Sequence, residues 1–261
     1  MIGPTPLLDC FRRGEMPREA RLLAAQGALT PRAYEQLAIL VLLLDDRDTA
    51  VRGAADHTLG RIPVQALQTY LARSDVPIGL REFFGDRGIF PAEIPPIETD
   101  EPTDEPLIDT EPPDLSEPVD EDSKDSAVLK IAKMGFTERL KAAMKGSREV
   151  RAILIRDPNR LISTSVLSSP KISEQEVEGY ARMASVSEDV LRIIGANRQW
   201  MRNYGVVVGL ARNPKTPLAM SMNLMARLSD RDLTMLSTDR NVPDPLRIAA
   251  RKKVIANVSR K

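Results

Sequence analysis

Histidine and cysteine each occur once in this chain, at His57 and Cys10, and that scarcity limits the chemistry its 261 residues can carry. A zinc site, a Ser-His-Asp relay or a Cys-His pair each needs partners that this composition scarcely offers. His57 stands one position from the apolar stripe of its segment and reads as structural. No G-x-x-x-x-G-K-[ST] or G-x-G-x-x-G occurs, so nothing cradles a nucleotide phosphate. Carboxylate pairs are present at Glu188/Asp189 and Asp230/Asp232. Both fall where first helical turns are expected, and acidic side chains there complement the helix dipole. The residue types therefore predict no catalytic, cofactor-binding or metal-binding residues, and no enzyme.

Charge is the stronger signal, because a net charge of zero hides a sorting. Residues 1–90 are neutral, residues 91–125 carry −13, and residues 126–261 carry +13. In the basic part, Arg192, Arg198, Arg202, Arg212, Lys215, Arg251, Lys252 and Lys253 stand out as cations without an obvious partner, followed by Arg260 and Lys261. Two readings of this set stay open. It is a solvated surface, or it is a basic face for an acidic ligand: the chain's own acidic segment, a partner's acidic peptide, or nucleic-acid phosphates.

The acidic segment holds eight prolines and no hydrophobic periodicity. Such a chain repels itself and buries too little apolar surface to offset its ordering entropy, so it is expected to be disordered and to pack into neither neighbour. The flanking parts are rich in Ala, Leu, Met and Arg and poor in aromatics (4%), a helical composition. Caps and prolines predict helices over 17–27, 31–44, 49–60, 64–74 and 78–84, with Thr30 as an N-cap before Pro31. The run "LAILVLLL" at 37–44 is apolar on most faces, which predicts burial between layers. It is too short to span a bilayer, and with no leader-like N-terminus and no cysteine pair the chain is expected to be soluble and cytoplasmic.

The stretch "DDRDTAVRGAADHTLGRIP" has Asp48 placed to cap, Val51, Ala54, Ala55 and Leu59 on one face, and Gly60 placed to close. It resembles the second helix of a HEAT repeat, matching D-x-x-V-R-x-x-A-x-x-x-L-G from Asp48 to Gly60. The C-terminal part repeats itself. "ISEQEVEGYARMASVSEDVLRI" from Ile172 aligns with "LSDRDLTMLSTDRNVPDPLRI" from Leu228, and at the same offset of 56 "RDPNRLIS" faces "RNPKTPLA". A shorter element recurs with apolar triads Val150/Ile153/Leu154, Val190/Ile193/Ile194 and Leu246/Ala249/Ala250. Self-similarity in short helical units marks an α-solenoid, similar to HEAT or leucine-rich-variant repeats. That resemblance implies Asp–Arg ladders between repeats through Arg52, Arg151 and Arg247. In "TPLAMSMNLMARL", Leu218, Met222, Met225 and Leu228 form one stripe of a helix expected to be buried, and Trp200, Met201 and Tyr204 lie nearby as core candidates.

The expected fold is all-α: a HEAT-like α-α superhelix in two modules, 1–90 and 126–261, separated by a disordered acidic linker, 91–125. The expected function is a non-catalytic scaffold or adaptor that binds protein partners through acidic peptides, with the linker masking the basic module. The alternative is nucleic-acid binding by that module. Membrane and small-molecule partners are not expected.

Overall fold

Polar side chains and prolines decide where the helices start. Thr5 Oγ1 accepts from the Leu8 amide, and Pro6 takes the first helical position, where its missing N–H is no loss. Asp48, Asn159, Ser173, Ser187, Asn203 and Ser229 each accept an amide proton from the turn they precede. Pro17, Pro63, Pro77 and Pro217 stand in extended geometry ahead of four more helices.

The computed structural model describes residues 5–30, 32–92, 105–108 and 124–258. Its helices are α1 Pro6–Arg12, α2 Arg18–Ala25, α3 Ala33–Leu43, α4 Thr49–Arg61, α5 Val64–Leu71, α6 Ile78–Gly85, α7 Lys124–Lys133 and α8 Phe136–Lys145. They continue as α9 Arg148–Leu154, α10 Arg160–Ser165, α11 Glu174–Arg182, α12 Glu188–Ala196, α13 Tyr204–Arg212, α14 Leu218–Leu224, α15 Asp230–Thr238 and α16 Asp244–Val258. Short 3-10 turns follow α10, α12 and α14. No strand occurs among the described residues, so the chain is all-helical there. Most of the acidic segment, and with it the expectation of disorder, lies outside the described residues.

The chain divides into two compact units, Met1–Val150 with Ser168–Pro170, and Arg151–Leu167 with Lys171–Lys261. The division thus falls inside α9, whereas the sequence placed it at 126. The second unit holds 19 basic and 10 acidic residues, a net +9, which leaves −9 on the first.

In the first unit α3 is central: every residue from Ala33 to Leu40 is buried, as the apolar run predicts. It packs against α1, α2 and α4, and α2 also meets α4 and α8. Arg21, itself buried, donates to the Met16 carbonyl and pairs with Asp46 at 2.8 Å. Arg18 pairs with Asp48 at 2.5 Å. Both tie α2 to the turn before α4.

Details of this region differ from the sequence expectation for local reasons. α1 was not foreseen. The N-cap of α3 is Arg32, not Thr30, because the backbone is still extended at Arg32 (φ −119°, ψ 134°). α4 runs one residue past Gly60 and stops where Ile62 turns extended before Pro63. Its buried face is Val51, Ala55 and Thr58, with Ala54 and Leu59 half-buried and His57 exposed. Arg52 bonds the Asp46 carbonyl of its own entry turn, and so makes no link to a neighbouring helix pair.

In the second unit, helices two apart in sequence pack together: α10 on α12, α11 on α13, α14 on α16. Consecutive helices meet as well, most extensively α15 with α16. Glycines permit the closest approach. A Cβ on Gly209 of α13 would stand 3.1 Å from both Ala181 Cβ and Arg182 Cγ of α11. The recurring triads are buried at their first and last members (Val150/Leu154, Val190/Ile194, Leu246/Ala250) and half-buried in the middle. The position after the first member also faces inward in two copies, as Arg151 and Leu191.

Polar links join helices two apart in sequence. Arg151 grips Glu176 at the start of α11. Buried Asn213 donates to the Ala181 and Met183 carbonyls at the end of α11, at 2.9 and 3.0 Å. Arg212 pairs with Asp239 at 3.0 Å. The Tyr204 hydroxyl donates to Asp232 at 2.5 Å and accepts the Ser229 amide. Hydrogen bonds from Ser229 and Tyr204 hold the Asp232 carboxyl below the usual range. Tyr204 is therefore a half-exposed clip between α13 and α15, not a core aromatic. The expected methionine stripe is corrected too. α14 is only seven residues long, and the 3-10 turn Met225–Arg227 shifts its phase. Ser221, Leu224, Met225 and Leu228 are buried, while Leu218 is exposed and Met222 half-buried.

Candidate interaction sites

The basic residues singled out in the sequence separate into two groups. Arg192 is exposed, and its guanidinium lies 2.5 Å from Glu188 one turn back. Arg212 is engaged by Asp239, and Lys253 donates to the Met225 carbonyl at 2.9 Å. These three belong to the framework. Arg247, assigned to a ladder by the HEAT resemblance, pairs among the described residues with Asp244 in its own helix. Among the described residues Arg151 alone of the ladder candidates reaches another helix, α11, and it pairs there with a glutamate.

Arg198, Arg202, Lys215, Arg251 and Lys252 are exposed, and no ion pair or hydrogen bond engages their side chains among the described residues. Arg198 and Arg202 lie around the 3-10 turn between α12 and α13, and Lys215 in the turn between α13 and α14. Arg251 and Lys252 lie on α16 between Ile248 and Ile255, which are 55% and 63% exposed. Spacings of three, four and seven place these four on one helical face, so the cations there are interleaved with bare aliphatics. Arg260 and Lys261 lie outside the described residues.

A second site was not read from the sequence. Gln36, on α3, is 1% exposed, a costly place for a carboxamide unless every bond is made. Its Oε1 accepts two successive amides, Leu107 at 2.9 Å and Ile108 at 3.2 Å. Its Nε2 donates to the Ile108 carbonyl at 3.4 Å and to the Gly27 carbonyl at 3.3 Å. Two donors thus face the oxygen and two acceptors face the nitrogen. A flipped amide would oppose N–H to N–H and oxygen to oxygen, so the network fixes its orientation.

Gly27 completes the seat. It closes α2 with φ +75°, its own amide donating to Ala24 and the next amide to Leu23, the two bonds of a Schellman motif. A Cβ there would stand 3.3 Å from Thr58 Cγ2, 3.5 Å from Gln36 Nε2 and 3.9 Å from Ile108 Cβ. The closest of these is Thr58, so a side chain there would press on α4, while Ile108 lies at ordinary contact distance. Successive amides of an extended strand point opposite ways, so two converging on one oxygen require the bend found at Leu107–Ile108.

The expectation that the acidic segment packs into neither neighbour is therefore corrected for residues 105–108, which sit on the first unit. The contact is amide and apolar rather than ionic: Pro106, Leu107 and Ile108 are half-buried while Glu105 is exposed. Three hydrogen bonds at about 1 kcal/mol net each, with half-burial of two aliphatics at roughly 1 kcal/mol each, give about 5 kcal/mol. Ordering four residues opposes this with about 4–8 kcal/mol. The two sides nearly cancel, so the segment is seated but readily displaced.

Among the described residues no group of three His, Cys, Asp or Glu side chains could hold a metal ion, and no helix is long and apolar enough to cross a membrane. Comparison of the chain with protein-family models, with curated proteins and with solved structures returned no match.

Proposed function

We propose that this chain is a non-catalytic protein-interaction module built from stacked helix pairs, a HEAT-like or leucine-rich-variant solenoid. In this reading the basic second unit binds acidic segments of partner proteins and the acidic linker competes for the same surface. The repeat architecture is supported by packing between helices two apart in sequence, by the recurrence of N-capping Ser or Asn ahead of α11, α13 and α15, and by polar links from each pair to the next. The observation that carries the function is the group of five exposed cations without framework partners, two of them flanked by exposed isoleucines on α16. A mixed cationic and aliphatic face suits an acidic peptide with apolar side chains. Duplex phosphates would use the cations and leave the isoleucines in water.

A tether of this length holds its ligand at roughly millimolar effective concentration. Removing residues 91–125 is therefore expected to raise affinity for a labelled polyglutamate peptide about tenfold at low salt. The gain should shrink at 150 mM salt, where the Debye length is about 8 Å. Arg251→Glu with Lys252→Glu should abolish binding by the shortened chain. Equal affinity of full-length and shortened chains, or indifference to the charge reversal, would refute the reading. Nucleic-acid binding is favoured by the second unit's net +9 alone. Electrophoretic retardation of duplex DNA with a log–log salt slope near −0.9 per phosphate would establish it instead.

A further inference from the structure

We propose that the Gln36 seat is a peptide-recognition site for a bent proline–aliphatic–aliphatic segment of a partner protein, occupied in cis by Pro106–Ile108. This site is on the first unit and stands independently of the basic surface.

Three of the four hydrogen bonds made by the Gln36 carboxamide go to a segment 71 or 72 residues away along the chain. Only the bond to Gly27 belongs to the helical framework beneath it. With the segment gone, Oε1 would keep no donor and Nε2 one acceptor, so the carboxamide is satisfied and covered only while a backbone occupies the seat. Leu37, Ile39 and Leu40, which fill the core on the same helix, are aliphatic. The glutamine is explained by a backbone arriving from outside.

The recognised chemistry follows from what touches what. The carboxamide reads the peptide backbone, two N–H groups and one C=O, and so demands a bend of fixed shape but no particular side chain. Apolar selection comes from the half-buried Pro106, Leu107 and Ile108, the last lying beside Gly27. Pro106 restricts the residue before it and its own φ, which lowers the entropy lost when the bend is seated. In the segment 91–125, Leu107–Ile108 is the one pair of adjacent aliphatic residues. The abundant acidic side chains are not what the seat holds, since Glu105 remains exposed. Because the balance of the cis contact is close to even, a partner segment of the same pattern can replace it.

The test uses the full chain and a labelled synthetic peptide of residues 101–112. Leu107→Asp with Ile108→Asp vacates the seat, and folding of each variant is checked by circular dichroism and thermal melting. The vacated chain is expected to bind the peptide about twofold more tightly than the wild-type chain, whose seat is about half occupied in cis. Adding Gln36→Leu should remove that binding. A peptide N-methylated at Leu107 and Ile108 keeps both side chains but loses both donors, and should fail to bind even if Gln36→Leu proves unfolded. No binding to the folded, vacated chain, or equal binding of the N-methylated and unmodified peptides, would overturn the proposal.

Discussion

Replacing Arg151 by alanine should lower the stability of the second unit by about 3–5 kcal/mol, because it strands a buried carboxylate. Both side chains of the Arg151–Glu176 pair are 4% exposed. Arg151 donates through Nε and Nη2 to Oε1 at 3.0 and 2.9 Å, and through Nη2 to Oε2 at 3.0 Å and to the Lys171 carbonyl at 3.1 Å. Ser173 donates its amide and hydroxyl to Oε2, and the Tyr180 hydroxyl donates to Oε1 at 3.3 Å. Burial, with the adjacent Glu176 anion, pushes the Tyr180 phenol far above its usual value, so it stays a donor. The carboxylate is the hub of the joint between α9 and α11. Replacing both members of the pair by methionine should recover part of the loss, since no charge is left unpaired while the Ser173 and Tyr180 donors and the Lys171 carbonyl lose this partner.

The same pair gives a pH dependence with a definite sign. Burial alone would raise the Glu176 carboxyl, but the Ser173 amide and the Arg151 guanidinium outweigh it and hold it below its ordinary 4.5. A carboxyl depressed in the folded state contributes stability that is complete above its unfolded value. That contribution is lost as pH falls through the lower folded value. Thermal melting of the wild-type chain should therefore weaken on acidification below about pH 4.5, and the double-methionine variant should weaken less over the same window.

Gly209→Leu should cost about 1–3 kcal/mol, and more if α13 is forced off α11. Its Cβ would already be 3.1 Å from Ala181 Cβ and 3.4 Å from the Ala181 carbonyl carbon, so the remaining three carbons have no free volume. Gly179, on α11 itself, is the control. Nothing lies within 4 Å of its would-be Cβ, and Gly179→Ala should stabilise the helix by about 0.5–1 kcal/mol. Opposite signs for two helical glycines in one chemical denaturation series would establish that close α11–α13 stacking, not glycine content, is what the second unit depends on.

Much of this architecture was legible in the sequence because it is written in local chemistry. The offset of 56 is the distance between Ser173 and Ser229, two N-caps whose hydroxyl accepts the amide three residues on and donates to the carboxylate there, although only Ser173 also gives its own amide to that carboxylate. The solvated placement of Arg192 followed from the helical period. What escaped depended on tertiary context. A seven-residue helix followed by a 3-10 turn changes the phase of a stripe, so the faces assigned to Leu218 and Met222 were misjudged. The exposure of Tyr204 depends on Asp232 and Ser229, which pattern alone does not bring near. The Gln36 seat joins residues 71 apart through main-chain groups, to which periodicity and composition are blind. The available signals were the polar pair Glu35 and Gln36 at the head of an apolar run and an aliphatic pair inside an acidic, proline-rich segment.

Amide hydrogen exchange on the full-length chain tests most directly whether the acidic segment is held by its backbone at Gln36. Leu107 and Ile108 should exchange about twofold more slowly than in a free peptide of residues 101–112, and Gln36→Leu should erase the difference. Exchange of both amides at the free-peptide rate in the folded wild-type chain would contradict it.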